Sequence, residues 1–299
     1  MKEHSIFHKY YMKSFYYDNS SKKGIFKGIK TFIITFLLLV IGELAGVIPS
    51  SLMYGLTLNS SFWKFFVQLF VSFGIVSLVI FFYTKSIEGL PIKTLGLSSE
   101  NPTKKFLIGF LIGGSLMAIS TFLLIISGQA EIRWIGFQNL STVLIIIPAW
   151  IVQSSTEEIL TRGYLFTRMQ NSTGNIYISL IVQAAFFSFL HIFNSSVSVI
   201  ALAQIFVVGT LFAIYSLYEG SIWGACGMHA AWNWSQGNVF GWKVSGMNAE
   251  GGSILQSIAT GNEILTGGNF GVEGGLVSLI VLIIAIIVIC MLMKKESIN

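Results

Sequence analysis

Polar and apolar positions are segregated along the chain. Eight stretches are apolar almost throughout: Thr31–Ile48, Phe62–Tyr83, Phe106–Ser127, Val143–Phe166, Ile176–Phe193, Val197–Leu217, Ser221–Trp234 and Gly275–Met293. A helix needs roughly 20 mostly apolar residues to cross a hydrocarbon core of about 30 Å. The runs are continuous and do not alternate as barrel strands do, so they predict helices. The pattern therefore predicts an all-α fold, a polytopic membrane bundle of about eight transmembrane helices. Ser221–Trp234 is the shortest run and is rich in small residues, which makes it the weakest of the set.

Composition agrees with a lipid environment. Hydrophobic residues make up 54% of the 299 and charged residues 10%, whereas a soluble domain carries about 25% charged residues. Charge then orients the chain. With both termini cytoplasmic, Lys2, Lys9, Lys13, Lys22, Lys23, Lys27, Lys30, Lys85, Lys93, Lys104, Lys105, Arg162, Arg168, Lys294 and Lys295 fall on the cytoplasmic side. Only Lys64, Arg133 and Lys243 fall outside. Positive short loops stay in the cytoplasm, so the net charge of +5 reflects orientation and attraction to anionic lipid rather than a nucleic-acid partner. The first 30 residues are polar and aromatic and do not read as a cleavable signal peptide. His4 and His8 within them are expected to be solvated. Cys226 and Cys290 lie in apolar runs and supply no disulfide framework or zinc finger.

One membrane domain is expected over residues 31–293, with a basic cytoplasmic segment at 1–30 and a cytoplasmic tail at 294–299. Residues 235–274 form a Gly-rich exterior segment without helical period, read as a lid over a site or as a disordered connector. No internal repeat is evident.

Ionisable groups inside apolar spans cost at least ~2.5 kcal/mol each at the helix centre, so their placement is informative. The fourth span holds Glu157, Glu158 and Arg162, the fifth His191, and the seventh His229 with Asn233. Glu158 and Arg162 are spaced for a helical ion pair with the acid toward the N-terminus. Glu157 points about 100° away and is left available as a base. Phe187 and His191 share a helix face, as do His229 and Asn233. Each group also has an inert reading, as a buried polar network or as glue between helices. Their depths, counted along the helices, allow all of them to meet in one cavity. A carboxylate with a histidine can activate water for amide hydrolysis, while a second histidine and an asparagine stabilise the oxyanion. Glu43 in the first span has no assigned partner.

At these residues the chain resembles the CPBP family of intramembrane peptidases, which includes type II CAAX prenyl endopeptidases and the bacterial Abi and bacteriocin self-immunity proteins. The family motifs EExxxR, FxxxH and HxxxN read here as Glu157-Glu158…Arg162, Phe187…His191 and His229…Asn233. The motif core is residues 140–235. The resemblance implies an intramembrane glutamic endopeptidase acting on a membrane-associated, hydrophobic or prenylated peptide. Its catalytic set would be Glu157, Glu158, His191, His229 and Asn233, with Arg162 and Phe187 supporting. Glu157 would activate water and His191 help hold it, while His229 and Asn233 would form the oxyanion hole.

A metal-free mechanism is favoured. In a metal-dependent one, Glu157, His191 and His229 would hold zinc, but no His-Glu-x-x-His pair is present and Arg162 beside Glu158 discourages a dication. The competing readings are a bacteriocin-type immunity or scaffold protein that binds without turnover, and a proton-coupled transporter. The absence of a repeat weighs against the latter. The Lys-, Asn-, Ile- and Phe-rich composition suggests a bacterial plasma-membrane protein.

Overall fold

The computed structural model describes residues 5–16, 18, 23–56 and 60–298; Lys2, His4 and Lys22 lie outside them. A short helix α1 (Ile6–Ser14) precedes the bundle. Six helices are long and apolar enough to cross a membrane: α2 (Ile25–Leu56), α3 (Ser61–Ile87), α4 (Pro102–Ile126), α5 (Leu140–Thr173), α7 (Val199–Glu219) and α9 (Leu276–Ile298). The fifth and seventh expected spans are shorter, α6 (Ile176–Phe189) and α8 (Trp223–Trp234). Among the described residues, six of the eight expected spans are thus present at spanning length, and the other two are shorter helices. For α8 the reason is burial: every residue from Gly224 to Asn233 is packed inside the bundle, and a helix sheathed by protein needs no lipid-matched length.

The two ends of the bundle differ. At one end α1 docks under the C-terminus, where Tyr10 Oη donates to the Met293 carbonyl at 3.2 Å. There too Gly24 N bonds Ser172 O at 2.8 Å, Lys105 Nζ bonds Glu219 O at 2.6 Å, and Ile222 N bonds Gly96 O at 2.9 Å. This end carries Lys85, Lys93, Lys104, Lys105, Arg168, Lys294 and Lys295 beside the entry to α2. Arg168 is held here by Glu88, 2.9 Å away, and Glu88 also accepts a hydrogen bond from Tyr164 Oη at 2.8 Å.

The opposite end is closed by residues 235–275, which are ordered rather than an irregular connector. A π-helical turn (Ser235–Val239) extends α8. Beyond it, strand β2 (Leu255–Ala259) pairs antiparallel with β1 (Ala130–Trp134) in the α4–α5 connection, Ala130 opposite Ala259. Side chains from the bundle anchor this cap: Trp150 Nε1 donates to Asn238 Oδ1 at 2.8 Å and Trp242 Nε1 to Thr121 Oγ1 at 3.1 Å. Neither the sheet nor these anchors leaves a local signal, because both join residues remote in sequence.

Helix α8 owes its position to glycine. A Cβ added at Gly109 of α4 would overlap the Gly224 carbonyl, and one at Gly113 the Met228 carbonyl. Gly227 in turn meets the Phe106 carbonyl. Small residues let the two backbones touch, and this contact fixes the helix that carries His229.

Candidate active site

The motif residues sit where two helices change winding. Helix α5 is α-helical through Glu158 and then π-helical over Ile159–Phe166; α8 becomes π-helical immediately after Trp234. Such bulges are often found at functional sites. Hydroxyls serve the carbonyls near each transition: Thr161 Oγ1 donates to Glu157 O at 2.5 Å, and Ser235 Oγ to Ala231 O at 2.5 Å.

Glu157 and Glu158 face different surroundings. The Glu158 side chain is fully buried, and its Oε1 accepts from Arg162 Nη1 at 3.0 Å and from His229 Nδ1 at 3.0 Å. Arg162 Nη1 also donates to Thr161 Oγ1 at 2.6 Å. Glu157 instead lines a cavity of about 340 Å³, and its Oε2 accepts no hydrogen bond. The nearest cationic partner of that oxygen is His229 Nε2, 3.7 Å away. Glu158 Oε1 is thus held by two donors, while Glu158 Oε2, like Glu157 Oε2, has no hydrogen-bond partner.

His229 bridges the two acids. Its Nδ1 bond to the carboxylate of Glu158 leaves Nε2 as the ring nitrogen turned toward Glu157, donating when the ring is protonated and accepting when it is neutral. His191 lies just past the end of α6, also on the cavity. Its Nδ1 is 2.9 Å from the Phe187 carbonyl. A carbonyl only accepts, so Nδ1 carries the proton and Nε2 of the neutral ring holds a lone pair.

Phe187 packs against Arg162 and both histidines. Its ring lies 4.4 Å from the Arg162 guanidinium carbon, 5.0 Å from the His191 ring and 5.8 Å from the His229 ring. Phe212 of α7 covers Arg162 at 5.3 Å and His229 at 5.2 Å. Arg162 Nε and Nη2 have no hydrogen-bond partner, so aromatic faces provide the rest of its charge stabilisation.

Asn233 departs from the expected oxyanion geometry. It lines the cavity, but its Nδ2 donates to Gln153 Oε1 at 3.1 Å and Ser154 Oγ at 3.4 Å. The hole is therefore not assembled as two free donors. Gln153 and Ser154 were not anticipated, although Gln153 precedes Glu157 by four residues and so shares its helix face. Phe212 and Glu273 were missed as well. Glu273 reaches the cavity from the cap, accepting from Trp232 Nε1 at 3.3 Å, from Ser245 Oγ at 2.7 Å and from Ser245 N. Glu43 is half-buried on α2, within electrostatic range of Glu157.

Zinc sites need three or four converging nitrogen, sulfur or oxygen ligands. Among the described residues no three His, Cys, Asp or Glu side chains are arranged to hold an ion. Glu157, His191 and His229 share the cavity wall without forming such a set.

Residues 139–235 match the family model described as Rce1-like, the type II CAAX prenyl endopeptidase Rce1-like family. The match runs from the residue before α5 to the first residue after α8 and contains all three motifs, so the resemblance read from them holds over that segment. It supports a CAAX-type intramembrane protease. No curated protein and no solved structure matches the chain.

Proposed function

We propose that this protein is an intramembrane glutamic endopeptidase that cleaves a hydrophobic or lipid-modified peptide. The observation that carries the reading is the division of labour between adjacent carboxylates. Glu158 Oε1 is spent on Arg162 and His229, while Glu157 lines the cavity with His229 Nε2 3.7 Å from its Oε2. Glu157 accepts a proton from water as that water attacks the scissile carbonyl, with the His191 Nε2 lone pair helping to orient it. Protonated His229 donates through Nε2 to the developing oxyanion. Asn233 adds a second donor when its amide releases Gln153 or Ser154. Glu157 then passes the proton to the departing amine, which leaves a new carboxylate and a new amino group.

The mainly apolar cavity wall suits a hydrophobic peptide, and the family match favours one carrying a lipid. The basic end of the bundle faces the cytoplasm by the positive-inside rule, which puts both termini inside and the cap outside. A bacterial plasma membrane remains the proposed location. Purified protein incubated with S-farnesylated and unmodified peptides, with products identified by mass spectrometry, tests the reading. Defined peptide fragments are expected from wild type and not from Glu157→Gln. Intact peptides across the panel would instead favour a binding protein.

A further inference from the structure

Gln204 lies near the start of α7 on the wall of the same cavity. Its side chain is fully buried, yet neither Nε2 nor Oε1 has a hydrogen-bond partner. The other α7 residues on that wall, Ile205, Val208 and Phe212, have apolar side chains. A buried amide without partners is destabilising, and the fold does supply partners to other amides nearby. Gln183 Nε2 donates to the Gly209 and Leu180 carbonyls at 3.0 Å each, and Gln153 Oε1 accepts from Asn233. Gln183 Oε1 and Gln236 Oε1 also lack partners, but each of those amides has its Nε2 bonded, whereas at Gln204 neither atom is.

A primary amide carries a donor and an acceptor in one plane, which complements the N–H and C=O of a peptide main chain. The charges of the wall point the same way. Its fixed charges are the carboxylates Glu157 and Glu273, and neither lysine nor arginine is among the described residues that line it. A ligand carboxylate would find no cationic partner there beyond a protonated histidine. A neutral peptide group carries no charge to be paired.

We propose that Gln204 is a positioning residue of the substrate site, pairing its side-chain amide with a main-chain peptide group that flanks the scissile bond. The site accordingly grips a neutral main-chain amide of the substrate. This inference rests on the peptidase reading and names the part of the substrate that the site grips.

The test uses full-length protein in detergent, with Glu157→Gln as the parent so that bound peptide stays intact. The probes are fluorescein-labelled apolar peptides capped at both ends, with and without an S-farnesyl cysteine, and binding is read by anisotropy. Adding Gln204→Leu removes the amide at similar volume and is expected to weaken binding about tenfold, the worth of roughly one good hydrogen bond. The thermal midpoint should hold or rise, which separates docking from a structural role. Replacing the flanking amide of the peptide by an ester should weaken binding to the parent and cost nothing further in the Gln204→Leu variant. Equal binding by the two variants, or binding by neither, overturns the inference. Gln204-dependent binding of peptides that wild type does not cleave would leave docking in place and remove the peptidase reading instead.

Discussion

Glu158 Oε1 lies 3.0 Å from Nδ1 of His229, joining two helices whose residues are 71 positions apart in sequence. The same oxygen accepts from Arg162, so one buried carboxylate neutralises an arginine and aims an imidazole. Under the proposed mechanism the two adjacent acids divide the work: Glu157 acts at the cavity, and Glu158 sets the histidine that faces it.

Glu158→Gln should therefore be a stability variant as much as an activity variant. Removing one member of a buried charge pair costs about 3–5 kcal/mol because the other is left uncompensated. Thermal unfolding in detergent is expected to show a clear drop for Glu158→Gln and little change for Glu157→Gln, whose Oε2 accepts no hydrogen bond.

Phe187→Leu keeps an apolar side chain but removes the ring that covers Arg162 and both histidines. A desolvated cation–π contact contributes up to about 2 kcal/mol, and a modest volume change adds about 1 kcal/mol more. Turnover should fall further than that stability loss accounts for, since both rings lose their packing partner. The check is kcat measured beside the unfolding midpoint; activity that merely tracks folded fraction would contradict the positioning role.

Gly113 and Gly114 provide a matched pair. Gly113→Ala forces a Cβ into the Met228 carbonyl, one residue before His229, whereas a Cβ at Gly114 meets nothing within 4 Å. Misplacing a reacting group by about 1 Å can cost on the order of 100-fold in rate. Activity should collapse for Gly113→Ala and persist for Gly114→Ala.

The cap is pinned by Glu273, which accepts from Ser245 and Trp232. Glu273→Gln replaces charge-assisted bonds, worth about 1.5–3 kcal/mol, by neutral ones of about 1 kcal/mol. Amide hydrogen exchange across 240–275 should quicken in this variant while α5 and α8 keep their protection.

Much of the chemistry was legible in the sequence because it depends on helical spacing. Glu158 with Arg162 and Phe187 with His191 are pairs one turn apart, and the structure places both pairs in contact. Depth counting allowed Glu157 and His229 to meet, and in the structure they lie 3.7 Å apart. What stayed hidden depends on tertiary contact or on departures from ideal helix. The π-helical segment at Ile159–Phe166, the cap with its strand pairing, and the partners of Asn233 have no periodic signature. The short helix α8 reads as a weak span because it is buried by protein, not by lipid. Gln204 passed unremarked as one polar residue in an apolar run; only its lack of partners draws notice.

The most direct measurement is the cleavage rate of a peptide substrate by purified wild type and Glu157→Gln at matched folded fraction, each with and without a metal chelator. Wild type is expected to cleave equally with and without chelator, and Glu157→Gln to be slower by about 10²–10⁴-fold, the usual contribution of a general base. Cleavage by Glu157→Gln at the wild-type rate would contradict the assignment of Glu157 as the group that activates water, and loss of wild-type activity in chelator would contradict the metal-free route.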